Sequence, residues 1–440
     1  MTSIVAVRTA LASCSSEHVT LFTTLIDNGS LIPYKSRDNA RRKFGLDTEY
    51  AALGKKQAPA ALRKQHLAKE LQDICLRDLP EAREYFGQQL TYFVSSGGTI
   101  DLERMGEEGA GTQTIASLTD TTLGGTDTIV TFPSRTLEKL VMKDYEAPTN
   151  CLRASGTTCT VLPTNAYIPL HHSNEGMTTR TLLSGSIVWI IWPSTPKNLR
   201  ILQNAYEDFA QHFNDSRLDV TNTLEGGMIF VQTEGDGLRI SPFTIMMCLS
   251  TKTSVLATYS DITAENYLSM LHKLPLLNAW FRTEFDGARK QSEFNAMVLL
   301  HLDLMLHGDP KNEERDRIKL SHVRGGLLDK LTKSWEVVKN DVAAILGAAD
   351  HKTMIGIWVD YLIAAKGREC RLCGDSIMNK QKLMMDHFIE RHWFKGKKDT
   401  EGVHTRQGLA QGLNEASTEA TAQVQAAEEV DGGDAMELDG

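Results

Sequence analysis

Two strand-rich blocks near the middle of the chain constrain its fold more than any other part of the sequence. In the first block, Tyr167–Leu199, the most apolar segment is Ile187–Trp192, which ends at Pro193 because proline cannot donate to a sheet ladder. Gly185 is predicted to open a turn between two strands of this block. The second block, Gly226–Tyr259, follows a segment with helical periodicity. The pattern predicts the two halves of a small β-barrel with a helical insert.

Three short motifs lie in these blocks: Pro-Leu-His171, the run from Leu183 to Pro193, and the segment Gly235–Pro242 followed by an apolar strand. Together they resemble the motifs of Jumonji-C (JmjC) domain proteins, the Fe(II)- and 2-oxoglutarate-dependent oxygenase branch of the cupins. The resemblance covers about residues 150–262. It implies a double-stranded β-helix, the jelly-roll barrel of the cupin class.

The resemblance also implies a metal site of two histidines and one carboxylate, with open positions on Fe(II) for 2-oxoglutarate and oxygen. His171 corresponds to the first histidine, but Ser173 stands at the carboxylate position and Met246 at that of the distal histidine. In many relatives a lysine and a threonine hold the cosubstrate. The corresponding residues here are Ile187 and Ile168.

These departures favour a barrel without catalysis, in which no residue is assigned a catalytic role. One neutral imidazole cannot hold Fe(II) against water, so His171 and His172 are interpreted as polar residues at the barrel mouth. The alternative is an active Fe(II)/2-oxoglutarate-dependent dioxygenase, such as a histone or protein lysine demethylase or hydroxylase. Its rearranged site would use His171 or His172, Glu175 and a histidine from elsewhere.

A second motif near the end of the chain has the spacing C-x2-C-x13-H-x4-H. It consists of Cys370, Cys373, His387 and His392. Two thiolates from a hairpin and two imidazoles from a helix are what tetrahedral zinc requires, so the motif predicts a C2H2-type zinc finger with structural Zn²⁺. Gly374 is expected in the turn, with Leu383 and Phe388 as the small core. The alternative is a reduced cysteine pair with coincidental histidines.

The predicted finger helix, Asn379–His392, has a basic rim. Its members are Lys380, Lys382, Arg391, Lys395, Lys397 and Lys398. Such residues can contact phosphates, but phosphate contacts position a protein without reading sequence. A lone finger spans about 3 base pairs. We therefore expect a structural or protein-binding finger with weak nucleic-acid contact, and a sequence-specific transcription factor would need further fingers or a dimer.

The resulting fold class is α+β, with a jelly-roll barrel between N- and C-terminal helical regions and a small zinc finger. The predicted domains are an N-terminal helical region (1–94), a Gly/Ser/Thr-rich linker (95–127), the JmjC-like barrel (128–262), a helical C-terminal domain (263–367), the zinc finger (368–398) and a disordered acidic tail (399–440).

Composition limits the function classes. The net charge is −9, but nine acids and one arginine fall in the last 40 residues, so the rest is nearly neutral and does not suit a nucleic-acid-coating protein. No apolar run approaches the roughly 18 residues of a membrane helix, so no membrane association is expected. Seven cysteines with one close pair suit a reducing compartment. The resemblance implies a nuclear, chromatin- or transcription-related protein with protein partners, and the cytoplasm is the alternative location.

Overall fold

A large, mostly antiparallel β-sheet organises the first part of the chain, and helices make up most of the second. The computed structural model describes residues 3–33, 52–54, 129–141, 148, 150–154, 156–212, 220–284, 287–308, 315–364, 369–377 and 380–393. The chain divides into two units, Met1–Gln291 and Ser292–Gly440. The architecture is thus mixed α and β, compatible with the expected α+β class. None of the described helices is both long and apolar enough to cross a bilayer.

The sheet contains ten strands. They are β1 (Leu31–Pro33), β2 (Ala52–Gly54), β3 (Val130–Pro133), β4 (Cys151–Ala154), β5 (Thr158–Leu162), β6 (Tyr167–His172), β7 (Met177–Trp192), β8 (Gly227–Thr233), β9 (Gly237–Ile240) and β10 (Ile245–Thr263).

The two longest strands, β7 and β10, pair antiparallel along most of their length and divide the sheet into two halves. In one half the order is β6, β10, β7, β8, and in the other it is β5, β10, β7, β9. Short strands extend these halves: β1 lies parallel to β8, β2 pairs with β9, and β3 pairs with β5. Each long strand therefore contributes one segment to each half.

Gly185 marks the boundary between the halves on β7, and the predicted turn at this position is wrong. The strand continues through Gly185, which has a φ of +98°. A Cβ at this position would lie 2.3 Å from Ser254 Oγ and 2.4 Å from the Thr253 carbonyl oxygen. The pairing register of β10 also shifts between Ser250 and Val255. Both strands are thus irregular at the same level, which glycine tolerates because it has no side chain.

The core of the sheet is one apolar cluster built from both halves. Alternate residues of β7 and β10 face it, including Ile187, Trp189, Met246 and Cys248. Leu238 and other residues of the second half belong to the same cluster, so inward-facing side chains of the two halves pack together.

The helices are α1 (Ile4–Ala12), α2 (Val19–Asp27), α3 (Arg135–Val141), α4 (Pro196–His212), α5 (Ala264–Leu271), α6 (Leu274–Phe281), α7 (Gly287–His307), α8 (Arg315–Ile345), α9 (Ala348–Ala364) and α10 (Gln381–Arg391). The predicted helical insert between the strand blocks is α4, which packs against α6. The N-terminal region also contributes strands β1 and β2 to the sheet.

The predicted domain boundaries stay predictions. Most of the N-terminal region, the whole 95–127 linker and the 399–440 tail lie outside the described residues. The division between the two units falls inside α7.

Candidate functional site

The four residues of the cysteine–histidine motif come together in the second unit. The ligand atoms of Cys370, Cys373, His387 and His392 all lie within 4.8 Å of one another. The Cys370 Sγ to His392 Nε2 distance is 3.5 Å, the Cys373 Sγ to His387 Nε2 distance is 3.4 Å, and the two Nε2 atoms are 3.2 Å apart.

These distances fit a tetrahedral metal. Bonds of about 2.3 Å to sulfur and about 2.0–2.1 Å to nitrogen place tetrahedral ligand atoms roughly 3.3–3.8 Å apart. Two thiolates and two imidazoles are also the donor types that borderline-soft divalent ions prefer. The cluster can therefore hold a metal ion, and it is the one such group that the described part of the chain contains.

A tight turn positions the two cysteines. The Gly374 N–H donates to the Cys370 carbonyl at 2.7 Å, the Cys370 N–H donates to the Asp375 carbonyl at 2.8 Å, and Gly374 has a φ of +78°. The Asp375 N–H also points at Cys373 Sγ, 3.4 Å away. The expected turn at Gly374 is thus present, and its amides face the carbonyl and sulfur atoms of the cysteines.

Helix α10 positions the two histidines. It begins at Gln381 and ends at Arg391, somewhat shorter than the predicted Asn379–His392, and Asn379 lies outside the described residues. His387 lies on the helix and His392 caps its end, where its N–H donates to the Phe388 carbonyl at 2.8 Å. The backbone therefore fixes both imidazoles.

Glu336 of α8 supports the site from outside the motif. Its Oε1 lies 2.6 Å from His392 Nδ1, while the Nε2 of the same ring faces the other ligands. The Trp335 indole N–H donates to the His392 carbonyl at 2.9 Å. A carboxylate on the second ring nitrogen fixes the orientation of a ligating histidine and raises its basicity. Sequence reasoning missed Glu336, because no local spacing links it to a residue 56 positions later.

The Cys370 thiol and the His392 imidazole influence each other. Burial raises the pKa of Cys370, but hydrogen bonds from His392 and from backbone amides outweigh it and leave that pKa below its usual value. Burial lowers the pKa of His392, and its bonds to Cys370 and Glu336 more than reverse this. These hydrogen bonds shift Cys370 toward the thiolate, the form that binds metal, whereas burial raises the pKa of Cys373 to about 11.

The apolar core beneath the cluster differs from the prediction. Phe388 is fully buried, as expected, but Leu383 is 42% exposed and the prediction for it is wrong. Met384 is buried in its place. Trp335 of α8 and Trp358 of α9 stack on Phe388 with centroids 6.3 and 6.0 Å away. The core around Phe388 is therefore completed by aromatic rings of the helical unit, and Leu383 is not part of it.

The predicted basic rim is described only in part. Lys380 and Lys382 are exposed, and Arg391 lies 3.5 Å from Asp375 in an exposed ion pair. The other predicted members, Lys395, Lys397 and Lys398, lie outside the described residues. Nucleic-acid contact by this rim stays a prediction.

At the end of β6, His171 lies opposite Met246 on the neighbouring strand. Directly opposed residues share one face of a sheet, and Met246 belongs to the apolar core. His171 Nδ1 donates to the Pro169 carbonyl at 2.8 Å. Burial and the nearby Arg180 lower the pKa of His171 to about 4. His171 is therefore a neutral residue on the inner face.

His172 points in the other direction, toward α4 and α6. Its Nδ1 lies 2.9 Å from the Tyr206 hydroxyl, its ring stacks on Phe243 with centroids 5.9 Å apart, and Trp280 meets it edge-on at 5.3 Å. Burial among these groups lowers the pKa of His172 to about 3. The two adjacent histidines therefore belong to different environments.

Ser173 and Glu175, the other polar candidates from the sequence, have separate surroundings. Ser173 is buried, and its Oγ donates to the Ser241 carbonyl at 2.8 Å and accepts from the Thr244 N–H at 2.9 Å. Burial raises the pKa of Glu175. Among the described residues, Glu175 joins no histidine in a group of three or more potential metal ligands.

The remaining positions of the implied iron and cosubstrate site are apolar and packed. Ile187 and Met246 are fully buried in the core cluster, and Ile168 packs against it.

Sequence reasoning also missed Arg180. Its Nη1 lies 3.4 Å from Met246 Sδ, and its guanidinium lies 5.2 Å from the Trp189 ring.

Comparison of the chain with protein-family models finds no match, and comparison with curated proteins finds none either.

Proposed function

We propose that the first unit contains a degenerate JmjC-like jelly roll that has lost Fe(II)/2-oxoglutarate catalysis and serves as an interaction scaffold. The strand order supports the jelly roll. In chain order the eight strand segments are β5, β6, the two segments of β7, β8, β9 and the two segments of β10. Their pairing gives the orders first–eighth–third–sixth and second–seventh–fourth–fifth. This order supports an eight-stranded double-sheet jelly roll.

The observation that carries the loss of catalysis is the packing of the residues that correspond to the JmjC metal and cosubstrate ligands. Met246 pairs with His171 on the neighbouring strand, so the positions of the first and the distal histidine ligand lie opposite each other, as two ligands of one metal would. Met246, however, has a thioether in the core, and Ile187 fills the position of the cosubstrate lysine. A hard dicarboxylate and Fe(II) need oxygen and nitrogen donors or cations. The apolar groups at these positions offer none.

The active-oxygenase alternative has less support. His171 and His172 lie in different environments, and only His171 shares a face with Met246. The described residues bring no second histidine to His171 and Glu175.

For the second unit, we propose that the cysteine–histidine cluster holds a structural Zn²⁺. Two thiolates and two imidazoles leave a four-coordinate ion no open position, as in structural rather than catalytic zinc sites. When bound, zinc supplies folding energy by joining the turn to α10. The chain's own residues orient the ligands: Glu336 and Trp335 hold His392, and the Asp375 N–H faces Cys373 Sγ. The contacts with α8 and α9 support a finger that stabilises the helical unit.

A barrel without catalysis and a zinc site packed into the helical unit support a role in binding other proteins. We propose protein partners in a nuclear, chromatin- or transcription-related setting, with weak nucleic-acid contact through Lys380 and Lys382 as a secondary role. This setting comes from the JmjC resemblance.

The test of the barrel proposal is anaerobic calorimetry on the full chain. 2-Oxoglutarate is titrated into the Fe(II)-supplemented protein and into its His171→Ala variant. We expect no saturable binding in either. Stoichiometric binding that disappears in His171→Ala would overturn the proposal and favour the oxygenase.

A further inference from the structure

A cavity of about 360 Å³ lies in the first unit, beside the start of α4, the end of α5 and the turn between α5 and α6. It is separate from the histidines at the end of β6, because neither His171 nor His172 lines it. A volume of this size lies in the range of small-molecule sites.

The described lining of this cavity carries basic groups. Arg200 of α4 and His272 and Lys273 of the α5–α6 turn line it, and no Asp or Glu among the described residues does. Within the described residues, neither Arg200 nor Lys273 forms an ion pair, whereas Lys197 on the same helix pairs with Glu225. Glu207, the first acid along α4, accepts a hydrogen bond from the lining residue Gln203. The cavity therefore presents two cations without an anionic partner.

Lys273 is held at the cavity by neutral groups. Its Nζ lies 2.7 Å from Ser269 Oγ and 4.6 Å from the centroid of the Phe243 ring. Burial lowers the pKa of Lys273 to about 8. An ammonium that is partly desolvated and has no carboxylate gains more from an incoming anion than an exposed lysine would.

The N-terminal end of α4 adds a favourable dipole. Pro196, the first residue of this 17-residue helix, lines the cavity together with Ser194. No acid lies in the first turn to neutralise the helix end. Thr195 Oγ1 accepts from the Asn198 N–H at 3.2 Å, so one of the terminal amides is already capped. The N-terminal end of α4 therefore adds a partial positive charge to the two positive side chains at the cavity.

We propose that this cavity binds a small organic anion, a carboxylate or phosphate monoester that carries a short apolar portion. Arg200 and Lys273 contact the anionic oxygens, Arg200 with its forked donors and Lys273 as a point charge. Leu199, Pro275 and Leu276 line the same cavity and contact the apolar portion. The proposal does not depend on zinc, iron or the jelly-roll assignment.

The experiment is isothermal calorimetry with the full chain and three probes of similar size: benzoate, phenyl phosphate and neutral benzyl alcohol. We expect saturable binding of at least one anion below about 10 mM, the range of weak fragment-sized ligands. Benzyl alcohol is expected not to bind. A preference for benzoate identifies a carboxylate ligand, and a preference for phenyl phosphate identifies a phosphate monoester.

The variants Arg200→Gln and Lys273→Met each remove one cation, and Lys197→Met is the matched control outside the lining. Each of the first two is expected to weaken anion binding about tenfold, the effect of losing one charged hydrogen bond. Because Arg200 is exposed, its variant leaves the test interpretable even if Lys273→Met fails to fold. Absence of anion binding, equal binding of the alcohol, or equal weakening by Lys197→Met would overturn the proposal.

Discussion

Glu336 Oε1 lies 2.6 Å from His392 Nδ1, so a carboxylate of a long helix holds one imidazole of the candidate metal centre. The contact joins two parts of the second unit that are 56 residues apart in sequence. The candidate metal centre therefore includes a contact from α8 and does not depend on the short turn and helix alone.

We predict that Glu336→Gln weakens zinc binding about 10- to 100-fold, the usual effect of removing the carboxylate behind a ligating histidine. Competition with a chromogenic chelator measures the affinity. Asp329→Asn is the matched control, because it removes one negative charge from the same helix where Asp329 pairs with Lys333 on the surface. Equal affinities in the two variants would mean that Glu336 has no specific role.

Removal of the metal is expected to destabilise the helical unit as well as the finger. Phe388 and Trp335 pack beneath the ligands, and the Trp335 indole donates to His392. We therefore predict that a chelator lowers the melting temperature of the unit and changes the near-ultraviolet circular dichroism of its tryptophans. The same chelator should have no effect on a Cys373→Ser variant. An unchanged spectrum in the wild type after zinc release would contradict this account.

Acidification is expected to destabilise the first unit through its two neutral histidines. The pKa of His171 is lowered to about 4 and that of His172 to about 3, while the unfolded chain titrates near 6.5. Between these values the unfolded state binds more protons, so stability present above pH 6.5 falls as the pH drops, by up to about 1.4 kcal/mol per pH unit for each histidine.

The test is denaturant unfolding between pH 4 and 7.5 for the wild type and His172→Phe, with the exposed His272→Gln as control. The dependence on pH should be shallower in His172→Phe alone. Three parallel profiles would show that burial of His172 does not contribute to the acid sensitivity.

Restoring a lysine at the aligned cosubstrate position should damage the fold. Ile187 is fully buried in the core, so a lysine there would bury a charge. Arg180 already places one cation beside Trp189, which lies two residues after Ile187. Ile187→Lys is therefore expected to lower the free energy of unfolding by at least about 3 kcal/mol, against about 1 kcal/mol for Ile187→Val. Urea denaturation measures both. A stable Ile187→Lys variant that binds 2-oxoglutarate would mean that the interior still opens to a cosubstrate.

Local patterns in the sequence predicted several parts of this architecture. The apolar run Ile187–Trp192 indicated a strand because its residues suit a buried sheet, and the helical insert became α4. Cysteine and histidine spacing brought together four ligands because a turn and one helix span only a short stretch of chain. These features depend on residues that are close in sequence.

The errors and omissions depend on residues that are distant in sequence. Sequence alone does not distinguish a glycine in a turn from a glycine at an irregular position within a strand. Gly185 is of the latter kind, and the residue that approaches it, Ser254, is distant in sequence. Leu383 was predicted as a core residue because the motif alone offers few apolar residues to pack on Phe388. The rings that cover Phe388, Trp335 and Trp358, come from other helices. Glu336 likewise became part of the metal centre through the packing of α8.

The most direct test of the account is elemental analysis of the full chain after anaerobic incubation with Fe(II) and removal of unbound metal. The wild type, Cys370→Ser and His171→Ala are compared. The account predicts one zinc ion and no iron per wild-type chain, loss of zinc in Cys370→Ser, and retention of zinc in His171→Ala. Stoichiometric iron that is lost in His171→Ala would contradict it and establish a working metal site in the first unit.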